Sequence, residues 1–265
     1  MIDILTVLLT KYKESATIMY QPFIPPLHTK DIVEFSLDRD LVLNNIKQIQ
    51  ENNTKNSYDE VCGNLVIKDN KLHMVANSGK QGGTEDARFF CEPLHKIYNI
   101  VFHTHPIDPI PSGEDLIIVA LNDCVAESTQ SHVEFLFTPY GVWVFHRTVR
   151  KNNKLFKPYV RKESTPDSFI DNKIAEFQKL AYDCCRYIYS EKNRGVPIRM
   201  NTEDKHRMGE YVSNIPKFYK DMLKASKGRV SIHWYPYPEN PEQQDIVVKL
   251  PKVLLEETVV QFCSK

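Results

Sequence analysis

The sequence predicts an α+β or mixed α/β unit ending near residue 150, followed by a mainly helical C-terminal extension with a small β-hairpin. Three observations predict it. Short apolar runs of strand length alternate with amphipathic, helix-period stretches up to residue 150. Turn residues at Asp69-Asn70 and Thr138-Pro139-Tyr140-Gly141 join neighbouring runs into hairpins. Beyond residue 150, apolar positions recur at helical spacing over two long stretches.

In chain order, Pro22, Pro25 and Pro26 break helix and give an extended lead-in. Leu41, Leu43, Ile46 and Ile49 mark an amphipathic helix over 38–50, which the polar run 51–57 ends. Val61–Ile67 and Leu72–Ala76 form the first hairpin, and the glycine-bearing stretch 78–86 reads as a loop. The apolar run 97–102 is a buried strand that feeds His103-Thr104-His105-Pro106. Ser112, with Asp115 three residues on, opens a helix by capping-box logic. Val133–Phe137 and Val142–Phe145 form the second hairpin, with Trp143 and Phe145 read as core. A basic connector leads to helices over 167–190 and 202–224, then to strands over 230–235 and 246–250.

With 265 residues, 42% hydrophobic and 26% charged, the chain has enough apolar surface for a sizeable core, which excludes wholesale disorder. Its 34 basic and 34 acidic residues cancel, but not locally. Residues 1–146 hold 11 Lys+Arg against 19 Asp+Glu, and residues 147–229 hold 20 against 10. The basic stretch either packs against the acidic half or meets an acidic partner or nucleic acid. The six cysteines form no Cys-x-x-Cys pair, which reads as free thiols in an intracellular compartment, cytoplasmic or nuclear. Ile2–Leu9 lacks the basic flank of a signal peptide, and no apolar run nears the ~18 residues of a membrane span, so no membrane role is expected.

The chemistry concentrates at 103–115. Side chains two apart on a strand point the same way, so His103 and His105 present both imidazoles to one ion. After nine intervening residues, Asp115 opens the next helix and can fold back toward them. Two histidines and one carboxylate leave a fourth tetrahedral position open, the pattern of a catalytic zinc. His73 and His95 read as surface or packing residues, and His206 and His233 have no partner at metal-ligand spacing in the sequence.

Glu60 in Glu-Val-Cys-Gly-Asn-Leu-Val, the His103-Thr104-His105-Pro106 run and Ser112-Gly113-Glu114-Asp115 together resemble the JAMM (MPN-plus) metalloprotease family. The resemblance spans about residues 40–150, and the order of elements agrees with it. That family usually places ten residues, not nine, between the second histidine and the aspartate; Asp108 is the substitute carboxylate, ranked below Asp115. The resemblance implies a mixed β-sheet flanked by helices in a metalloprotease domain over 1–150, with its core at about 32–150. Residues 151–265 are then a basic extension of unknown role. It also implies one Zn2+ per chain held by His103, His105 and Asp115, with Glu60 as general base and Ser112 supporting the oxyanion. A second zinc would need more ligands than Cys124 and His132 supply. The implied activity is zinc-dependent isopeptidase or peptidase cleavage of ubiquitin or a ubiquitin-like protein from lysine. The competing expectations are a non-catalytic MPN-type scaffold and a RadC-like protein of DNA metabolism.

Overall fold

The computed structural model describes residues 21–27, 29–55, 57, 59–81, 100–106, 109–123, 133–185 and 202–256. Ile2–Leu9, Cys91, His95, Asp108, Cys124 and His132, for which the sequence carries expectations, lie outside them, as does the side chain of His206.

The chain runs β1 (Ile32–Leu37), α1 (Arg39–Thr54), β2 (Glu60–Lys68), β3 (Lys71–Gln81), β4 (Ile100–Thr104), α2 (Gly113–Ile118), β5 (Leu121–Asp123), β6 (Val133–Thr138) and β7 (Gly141–Arg147). It continues through β8 (Tyr159–Arg161), α3 (Asp167–Cys185), α4 (Thr202–Ala225), β9 (Val230–Pro236), β10 (Val247–Pro251) and α5 (Val253–Glu256). The fold is mixed α and β, built on one eight-stranded sheet in the order β10-β1-β3-β2-β4-β6-β7-β9. β1–β3 and β4–β6 pair in parallel and the other neighbours antiparallel; β5 and β8 form a separate parallel pair.

Local chemistry explains most boundaries. The Asp38 carboxylate accepts from the backbone N–H groups of Asp40 and Leu41 and so starts α1. The helix passes the expected end at Gln50 because Asn52 turns inward, is buried, and donates to the Asp59 carbonyl. Asp69 and Asn70 both take positive φ (51° and 57°), which a tight two-residue hairpin turn requires. β3 extends to Gln81, which corrects the loop expected from residue 78. Its polar end is held by backbone pairing to β2, with Glu60 opposite Gln81, and lacks the alternating apolar pattern that marks a strand in sequence.

The sheet has two covered faces. On one, Leu41, Val42, Ile46 and Ile49 of α1 and Leu254 of α5 pack over Phe35, Leu65, Phe102, Phe135 and Val144. On the other, Leu116 and Ile117 of α2, Phe177 and Ala181 of α3, and Ile215, Phe218 and Met222 of α4 cover Leu136, Trp143, Phe145, Ile232 and Trp234. Trp143 and Phe145 are core, as expected.

Two further expectations are corrected. The strands over 230–235 and 246–250 exist, but they do not make a hairpin. β9 completes one edge of the sheet beside β7, and β10 completes the opposite edge beside β1. The same sheet therefore crosses residue 150. The expectation of six free thiols is corrected at Cys62, which is disulfide-bonded. The intracellular reading, which rested on free thiols, loses that support. Cys184 is free and buried in α3. Among the described residues, no helix is long and apolar enough to cross a membrane.

Candidate metal centre

β4 lies between β2 and β6, and all five of its residues are buried. Strand alternation sends Phe102 into the core beneath α1 and His103 to the opposite face. His105 follows the strand end and is held there by its N–H to the Phe137 carbonyl (2.8 Å). The Thr104 hydroxyl between them accepts from the Val61 N–H (2.9 Å), which ties the start of β2, and with it Glu60, to this end of β4.

α2 supplies the carboxylate. Ser112 Oγ accepts from the Asp115 N–H (3.1 Å), and Asp115 Oδ2 accepts from the Ser112 N–H (2.6 Å), a complete capping box. This reciprocal pair fixes the Asp115 rotamer. α3 braces the same turn: the Gly113 N–H donates to Gln178 Oε1 (2.6 Å), and a Cβ on Gly113 would lie 2.1 Å from the Ile174 carbonyl oxygen. Across the site, the Trp143 indole N–H donates to the Pro109 carbonyl (3.1 Å) and ties Pro109 to β7.

His103, His105 and Asp115 thereby come together, and one donor atom of each lies within 4.8 Å of the others. His103 Nε2 is 3.3 Å from His105 Nε2 and 3.4 Å from Asp115 Oδ1, and His105 Nε2 is 3.5 Å from Asp115 Oδ2. A tetrahedral ion with ligand bonds of about 2.0–2.1 Å holds its ligand atoms about 3.3–3.4 Å apart. The His103–His105 separation fits that requirement, and Asp115 faces the two rings through different oxygens, Oδ1 toward His103 and Oδ2 toward His105.

The opposite ring nitrogens are also committed. His105 Nδ1 lies 2.9 Å from the Ile110 carbonyl oxygen, so it carries the proton and leaves Nε2 as a lone pair. His103 Nδ1 lies 2.8 Å from Glu134 Oε1, again orienting Nε2 inward. Two ring nitrogens and a carboxylate facing one another at these distances suit a shared cation, either a proton on His103 or a metal ion. The proton affinities follow. Burial opposes charging His103, but the carboxylates of Asp115 and Glu134 outweigh it and raise its pKa well above the usual histidine value. Burial likewise opposes ionising Asp115, but the two imidazoles and the Ser112 N–H hold its pKa well below the ordinary carboxylate range. For Glu134 burial wins, and its pKa is raised despite His103.

Glu60, less buried than the ligands, places Oε1 3.6 Å from His105 Nε2 at the margin of the cluster. Ser112 sits at the start of α2, its hydroxyl lone pair used in the cap. Sequence reasoning missed Glu134. It stands on β6 opposite Val101 through parallel pairing, and its only sequence signal was an acid within an otherwise apolar strand. It also missed the partner of His233: His146 Nε2 lies 2.8 Å from His233 Nε2, across 87 residues and on the other face of the sheet. His73 is a surface residue paired with Asp38 at 3.0 Å.

No family model matches this chain, and neither a curated protein nor a solved structure matches it.

Proposed function

We propose that the chain is a metal-dependent hydrolase of amide bonds, with zinc as the ion that its two imidazoles and one carboxylate suit best. The observation that carries this reading is the convergence of His103, His105 and Asp115, one donor atom of each within 4.8 Å of the others, with the Glu60 carboxylate at their edge. When bound, Zn2+ lowers the pKa of water from 15.7 toward ~7 and polarises a carbonyl oxygen.

The chain's residues do the rest. His103, His105 and Asp115 hold the ion, each locked by a second contact that prevents the donor atom from turning away. Glu60 accepts the proton of the attacking water and returns it to the departing amine as the C–N bond breaks. The Ser112 hydroxyl keeps its proton while accepting from Asp115 and is free to donate toward the developing oxyanion. The substrate class rests on the resemblance of the three motifs to JAMM proteases: an isopeptide between lysine and ubiquitin or a ubiquitin-like protein.

A panel of ubiquitin and ubiquitin-like conjugates, assayed with and without a chelator, tests the proposal. Cleavage of at least one conjugate should vanish on chelation and return with zinc. Glu60→Gln should keep its metal and lose about 10²–10⁴-fold in rate, the usual contribution of a general base. Cleavage that survives chelation, or full activity in Glu60→Gln, contradicts it.

A further inference from the structure

Residues 147–162 and 223–229 contain ten Lys and Arg and no Asp or Glu. The fold places these two segments side by side. After β7 the chain makes a tight turn, with Val149 bridged to Leu155, the Arg150 N–H donating to the Lys154 carbonyl (2.8 Å), and Asn153 at φ 59°. The turn that leads from α4 into β9 docks against it. The Thr148 N–H donates to the Arg229 carbonyl (2.8 Å), and Arg229 Nε donates to the Lys157 carbonyl (3.0 Å). Gly228, at φ 78°, lies against the Phe156 ring, where a Cβ would sit 3.2 Å away.

Seven cations therefore share one surface: Arg150, Lys151, Lys154, Lys157, Lys224, Lys227 and Arg229. All but the half-buried Arg229 are exposed. The Arg150 guanidinium lies over the Phe156 ring (4.5 Å) and that of Arg229 over Tyr159 (4.3 Å), which fixes their planes. The neighbouring acids are Asp31, which accepts from Asn153 (3.2 Å), and Glu176, which is paired with Lys173 (2.6 Å). Among the described residues, none of the seven is in an ion pair. Other bases of this half pair with acids of the same half, as in Arg161–Asp167, Lys173–Glu176 and Lys217–Asp221. Among the described residues, ion pairing with acids of the first half does not neutralise these seven cations.

We infer that this surface binds the phosphate backbone of nucleic acid without reading base sequence. Densely placed lysines with two ring-stacked guanidiniums suit a polymer of closely spaced phosphates. A lipid surface fits less well, because none of the exposed large apolar side chains (Ile32, Met74, Ile118, Phe169, Tyr182 and Val247) belongs to the two turns. The surface lies at the Arg147 end of β7, whereas the metal centre lies at the Gly141 end. Seven residues at ~3.3 Å each separate them by about 20 Å. It can hold a polymer while leaving the metal centre open, and it does not depend on the hydrolase reading.

The test uses the full chain and a labelled 20-base-pair duplex in two unrelated sequences, with fluorescence anisotropy from 50 to 200 mM KCl. Both sequences should bind equally, with a log–log salt slope of about −5 for six phosphate contacts. Replacing Lys151, Lys154 and Lys157 with Gln should weaken binding at least tenfold at 100 mM KCl and flatten the slope by about 3. Replacing exposed Lys47, Lys55 and Lys68 with Gln removes the same charge elsewhere and should change affinity less than twofold. No binding at 50 mM KCl, or an equal loss in both triple variants, overturns the inference. So does tighter binding to phosphatidylserine vesicles or to polyglutamate than to duplex, which would assign the surface to a membrane or an acidic protein.

Discussion

His103 and His105 each use one ring nitrogen to hold the imidazole in place and the other to face the cluster. Glu134 is the more informative of the two anchors because it is itself a buried carboxylate. Such partners fix ring orientation and raise ligand basicity, and their loss costs about 10–100-fold in metal affinity. Glu134→Gln should weaken zinc by that factor in a competition titration against a chromophoric chelator. Unchanged affinity would reduce Glu134 to packing. The motif residues were legible because strand alternation and the capping box act over two or three residues. Glu134 was not, because parallel pairing brings it to β4 from a strand 30 residues away.

At the scale of elements, the short helix α2 carries Asp115, and α3 decides where α2 sits. Gly113 leaves no room for a side chain against the Ile174 carbonyl, and its N–H is capped by Gln178. Gly113→Ala should push α2 off α3, lower stability by about 1–3 kcal/mol as overpacking does, and weaken metal binding together with it. Thermal melts with and without zinc would show both; an unshifted melt would refute the close approach. The two helices of the second half were legible from their period, but their role as the brace of the site was not. Helical spacing says that a face is buried, not against what. The placement of β9 and β10 on opposite sheet edges was hidden for a similar reason, since strand character is local and partner choice is not.

The molecule as a whole carries a second buried histidine pair, which sets a pH response separate from the metal. The Lys249 N–H donates to Tyr235 Oη, which donates to His233 Nδ1. His233 Nε2–H donates to His146 Nε2, and His146 Nδ1–H donates to the Arg147 carbonyl. That chain is complete only when both rings are neutral. Burial lowers the pKa of His146 to about 4, and burial with the neighbouring ring lowers that of His233 well below the usual value. The unfolded chain takes up protons near pH 6.5 and the folded one does not. Stability from this pair is therefore full above ~6.5 and falls as pH drops toward 4, by about 1.4 kcal/mol per pH unit for each histidine. Urea melts from pH 4.5 to 7 should show this slope, and His146→Leu/His233→Met should flatten it; an unchanged slope in the double variant would refute the assignment. The central claim remains the convergence of His103, His105 and Asp115 on one ion, and metal content tests it most directly. Purified protein reconstituted with zinc and dialysed should retain about one zinc per chain, and His103→Ala and Asp115→Ala should each retain almost none. A wild-type chain that holds no zinc, or variants that hold as much as it does, would contradict the account.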